Sequence, residues 1–98
     1  MANPIPETTE TEEIQRGAEA RHLLEHPMIV GALDAIEKHY ELAWRQSKLG
    51  EGEVREEAFK MLHAAGLFRK LLTKYVETGT LAEASRAQKE RQEALSES

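Results

Sequence analysis

The stretch HLLEHP, from His22 to Pro27, places two histidines and a glutamate in the order H-x-x-E-H. On a helix, residues three and four apart share one face. Two imidazoles so placed can hold zinc, and a neighbouring carboxylate can take a proton from the metal-bound water. The reaction implied is a metal-assisted hydrolysis through His22, Glu25 and His26. Such a centre needs a third protein ligand and a rigid turn. Glu77 is available as a ligand, but acidic residues occur nearly everywhere in the chain and nothing singles it out. Pro27 follows His26 directly, removes a helical donor and pushes His26 away from α geometry.

The other groups with proton chemistry are His39 and His63. His63 falls among Glu56, Lys60, Lys70 and Lys74 and reads as exposed, while His39 lies on a flank with Met28 and Leu42. No serine or threonine stands near a histidine in a strand-turn-helix setting, and there is no glycine-rich phosphate loop. The H-x-x-E-H spacing resembles that of inverted zincins, which are much larger mixed α/β enzymes; 98 residues cannot hold such a domain. The expectation is a protein that is not an enzyme, with no catalytic residue, no metal and no cofactor, His22 and His26 being the only candidate metal pair. A zinc hydrolase is the reading set aside.

The elements around these residues follow from composition. Acidic residues number 18 against 13 basic ones, for a net charge of −5, so direct nucleic-acid binding is not expected. Arg69, Lys70 and Lys74 form the one basic cluster, which a helix C-terminal end accounts for. Cysteine is absent, which fits a reducing compartment, and no apolar run approaches the roughly 20 residues of a membrane span. The expected location is cytoplasmic, with no membrane partner. Helix formers dominate and no stretch alternates like a strand, so the fold class is all-α.

The opening MANPIPETTETEE is rich in proline, threonine and glutamate, and residues 1–8 read as a flexible N-terminus. A helical domain over 9–79 follows. Thr9 and Glu12 form a capping box, opening a helix over about 10–25. Pro27 begins a second, over about 28–47, and KLGEGE interrupts it, with Gly50 and Gly52 supplying backbone freedom for a turn. A third runs over about 53–78 and is closed by Gly79 in a left-handed cap. Thr80 and Glu83 form another box, so residues 80–98 read as an exposed helical or disordered tail.

Helices two and three are written to pair. Ile29, Leu33, Ile36, Tyr40 and Ala43 step by four and three, and Val54, Ala58, Met61, Ala65, Phe68, Leu72 and Tyr75 keep the same rhythm. Folded back at the glycines, they make a long antiparallel hairpin that sets Tyr40 against Met61, Ile36 against Ala65, Leu33 against Phe68 and Ile29 against Leu72. Asp34–Lys38, Glu41–Arg45 and Glu56–Lys60 are helical ion pairs worth about 0.3–0.5 kcal/mol each. Met28, Leu42, Leu62, Leu67, Leu71 and Trp44 remain outside the seam as interface residues. The first helix, through Ile14, Ala18 and Leu24, is too poor in apolar surface to cover them all. The partners expected are further copies of the chain or a larger protein assembly.

The layout ARHLLEHPMIVGALDAI, HYELAW, VREEAFKML and KYVETG, spanning Ala20 to Gly79, resembles small uncharacterised all-helical proteins of tailed bacteriophages and prophages. The resemblance implies a virion-structural or assembly component, located in the virion or the host cytoplasm. It carries over no catalytic residue. The alternative is an accessory inhibitor that binds a host protein through an acidic surface.

Overall fold

A computed structural model describes residues 9–97, and all regular structure among them is helical. The chain forms α1 (Glu10–Glu25), α2 (Pro27–Gln46) and α3 (Gly52–Glu97). The flexible segment expected over residues 1–8 lies outside the described residues.

The start of α1 is dictated locally. Thr9 Oγ1 accepts from the Glu12 amide at 3.1 Å, and the Thr9 amide donates back to Glu12 Oε1 at 3.3 Å. Glu10, Glu12 and Glu13 stand in the first turn, against the positive end of the dipole. At the other end His26 is extended, with φ −72° and ψ 123°, because the ring of Pro27 disfavours α geometry before it. Pro27 then occupies the first turn of a new helix, where its missing donor costs nothing. His26 also caps that helix, its Nδ1 accepting from the Met28 amide at 3.1 Å.

Between α2 and α3 the turn is held by side chains. Arg55 donates to the Lys48 carbonyl at 2.7 Å and to Ser47 Oγ at 3.2 Å, and the Lys48 amide donates to Glu51 Oε1 at 2.8 Å. Neither Gly50 nor Gly52 has a positive φ, so the backbone freedom expected of them goes unused. Nothing stands within 4 Å of a Cβ built on Gly50. Gly50→Ala is therefore expected to stabilise the protein by about 0.5 kcal/mol, by narrowing the unfolded ensemble, as read from a thermal melt.

The third helix corrects the sequence reading. It does not stop at Gly79 but runs unbroken for 46 residues, about 69 Å at 1.5 Å per residue. Gly79 is helical rather than left-handed, and Thr80 caps nothing: its hydroxyl donates to the Val76 carbonyl at 3.0 Å, as threonines do inside helices. Residues 80–97 are thus helical and largely exposed, as one of the two expected alternatives had it, but they continue α3 rather than opening a fresh helix.

Both shorter helices lie along this long one. Arg55 reaches Ser47, and Arg69 reaches Asp34 and Glu37, so the contacts of α2 advance along α3 as its own numbers fall. Beyond them α1 takes over: Gly17 meets Gly79, and Glu10 meets Arg86 and Lys89. The first helix was expected to cover the flanks of α2 and α3, but it packs chiefly on the second half of α3, and Ala18 is exposed. Along α3 the buried residues Ala58, Ala65, Leu72 and Gly79 recur every seven positions, a heptad stripe that continues through the glycine. The result is an extended slab of 74 × 40 × 16 Å. Its radius of gyration is 20.4 Å, against about 13 Å for a compact chain of this length.

Candidate interaction surface

Ring centroids of His22 and His26 stand 5.8 Å apart, edge to face. His26 Nδ1 is committed to the cap of α2, and no group of three or more potential metal ligands occurs among the described residues. His63 is exposed and stacks on Phe59, their rings 6.2 Å apart and 7° from parallel, while His39 meets Tyr40 edge to face.

Apolar side chains build a cleft between α2 and α3. Ile29, Ala32, Leu33 and Ile36 of α2 form one wall of the cleft, and Met61, Ala64, Ala65 and Phe68 of α3 form the other. Its volume is about 340 Å³, and among the described residues no charged or polar side chain lines it. Several of these residues were expected to be sealed between the helices. Leu33, Ala65 and Leu72 are indeed buried, and Ile29 and Tyr40 half-buried. Ile36, Met61 and Phe68, however, remain 39%, 37% and 46% exposed. Two round helices meet along a line, so bulky residues beside that line stay open unless a third layer covers them.

The residues expected at an interface are on the surface: Met28, Leu42, Leu67, Leu71 and Trp44 are exposed, and Leu62 is half-buried. Trp44, Phe59 and Leu62, with Glu41 and Arg45, line a second depression near the turn. The buried apolar residues among those described, by contrast, are Ala20, Leu33, Ala58, Ala65, Leu72 and Ala82, none larger than leucine.

Charged contacts sit at the margins. Arg69 donates to Glu37 at 2.8 Å and to Asp34 at 3.1 Å, and the hydrogen bond to Glu37 is the main cause of its raised pKa. The basic cluster read from sequence therefore loses Arg69 to α2, and Asp34 reaches across to α3 rather than to Lys38. Glu56 and Lys60 pair as expected, at 3.5 Å, with both side chains exposed.

Glu10 is held below the ordinary carboxylate range, first by its hydrogen bond from Lys89 and further by Arg86 and Ser85, with desolvation opposing. A depressed folded-state pKa gives stability that is present above the unfolded value and lost as pH falls through the folded one. Glu10→Gln should therefore lower the melting temperature slightly at neutral pH. That gap should close once acidification protonates Glu10 in the parent chain, a comparison that thermal melts across pH can make.

Sequence reasoning missed the contact that seats α1. A Cβ on Gly17 would stand 2.9 Å from the Tyr75 carbonyl oxygen and 3.0 Å from Gly79 Cα, and one on Gly79 would stand 3.0 Å from the Glu13 carbonyl oxygen. The backbones touch because neither residue has a side chain. Ala20 and Ala82 are buried three residues on, and the Arg16 guanidinium lies 4.4 Å from the centre of the Tyr75 ring. The signal was present as two G-x-x-A patterns, Gly17–Ala20 and Gly79–Ala82. Arg55, which holds the turn, had no signal beyond its proximity to the loop. Set against protein-family models, curated proteins and solved structures, the chain matches none of them.

Proposed function

We propose that this chain is a non-enzymatic interaction protein, whose α2 and first half of α3 form a helical hairpin that offers its apolar cleft to another protein surface. The reading rests on one mismatch. Among the described residues the buried apolar set is four alanines and two leucines, while Met28, Ile36, Met61, Phe68 and Leu71 stay exposed. Burial of apolar surface is the main favourable term in folding and association alike, at about 25 cal/mol per Å². A chain that leaves its largest apolar side chains outside gains that term by docking. Combined with the resemblance to small phage proteins, the setting we propose is virion structure or assembly.

The test is a photo-crosslinking amino acid at Ile36 in the cleft, compared with the same residue at Lys38 on the polar side of α2. The reading expects a protein adduct from position 36, in the cells that make the chain, and none from 38. Adducts absent from both positions, or equally abundant at both, would sink it.

A further inference from the structure

We infer that the occupant of the cleft is a second copy of this chain, laid face to face across it; this rests on the reading above. The first ground is the cleft's own symmetry. The α2 wall is Ile29, Ala32, Leu33, Ile36 and the α3 wall is Met61, Ala64, Ala65, Phe68, each with steps of three, one and three. The contacts of α2 advance along α3 as its numbers fall, so the walls match end for end. Ile29 corresponds to Phe68 and Ile36 to Met61 at the bulky ends, with Ala32 to Ala65 and Leu33 to Ala64 between them. At the centre three alanines and the buried Leu33 leave a depression, bounded at each end by a large pair. A copy shifted by about one helical turn seats one bulky end in the other's depression, and the exchange is reciprocal, as a two-fold interface requires.

Charge is the second ground. Each copy carries −5, yet none of that charge stands on the eight residues of the cleft walls, so closing one cleft on another brings no like charges together there. Size is the third. At 1.5 Å per residue, the 20 residues of α2 make a face about 30 Å long, and two helices side by side are about 20 Å wide. That footprint, about 600 Å² before corrugation is counted, approaches the roughly 800 Å² per partner of a standard specific interface. Paired this way, the two hairpins make a four-helix bundle, in which Ile36, Met61 and Phe68 become core.

Sedimentation equilibrium of the full chain at tens of micromolar should report 22.2 kDa, twice the chain mass of 11.1 kDa. Phe68→Glu should return it to 11.1 kDa, weakening association at least 100-fold, with helicity by circular dichroism retained because Phe68 is 46% exposed in the single chain. Ile36→Glu, on the opposite wall, should do the same, and it carries the test if the first variant loses helicity. A parent chain at 11.1 kDa or well above 22.2 kDa overturns the inference. So does dissociation by Leu67→Glu, on the flank of α3, without dissociation by either cleft variant. A monomer whose position-36 crosslinker captures a different protein removes the second copy and leaves the interaction reading standing. A monomer with no adduct removes both.

Discussion

Gly17→Leu is expected to free α1 from α3 and to cost about 3 kcal/mol, the upper end of what overpacking a tight contact usually costs. The Cβ alone would sit 2.9 Å from a carbonyl oxygen and 3.0 Å from a Cα, and both belong to backbone that cannot swing aside. The remaining carbons have no space, so the helices must separate. Separation exposes Ala20 and Ala82 and breaks the bonds of Glu10 to Arg86 and Lys89. At roughly 4–8 °C per kcal/mol for a domain of this size, the melting temperature should fall by on the order of 15 °C. Trypsin should also gain access at Arg16 and Arg21. Gly17→Ala should do less, because about 1 kcal/mol of helix propensity offsets part of the clash. Gly31→Ala is the control: nothing lies within 4 Å of its Cβ, so it should stabilise α2 by up to about 1 kcal/mol. If Gly17→Leu melted at the parent temperature, the glycine contact would not be what seats α1.

Leu72→Ala is expected to cost about 2–3 kcal/mol, towards the low end of large-to-small core changes because a slab two helices deep relaxes more easily than a thick core. Leu72 and Leu33 are the only buried apolar residues larger than alanine among those described. Leu72 lies on the buried stripe between Ala65, which faces α2, and Gly79, which faces α1. Its truncation should loosen both shorter helices at once, so far-ultraviolet and tryptic readouts should change together. Leu71→Ala, its 49% exposed neighbour, should cost well under 1 kcal/mol in the single chain. Equal losses at 71 and 72 would show that the stripe is wrongly placed.

The helical content and the ends of α1 and α2 were legible because their causes are local. A threonine hydroxyl, a glutamate three residues on and a proline ring act within one turn of the chain. The heptad rhythm also named the buried stripe, with Ala58, Ala65 and Leu72 where the steps of seven put them. How closely the helices approach was not legible. Periodicity marks the face that turns inward, and Ile36, Met61 and Phe68 share that face while staying open.

Gly79 shows where local reading ends. Glycine terminates a helix by adopting a left-handed conformation, and it also permits two backbones to touch; the flanking residues look the same in both cases. Only the presence of Gly17 on the neighbouring helix selects the second use, and with it a continuous α3. The sequence by itself determined that the chain is helical, where its first two helices begin and which stripe is apolar, because these depend on contacts within a few residues. The tertiary structure decided that α3 runs on, that α1 lies on its second half and that the cleft stays open. Those outcomes depend on distances between residues some 30 to 80 positions apart.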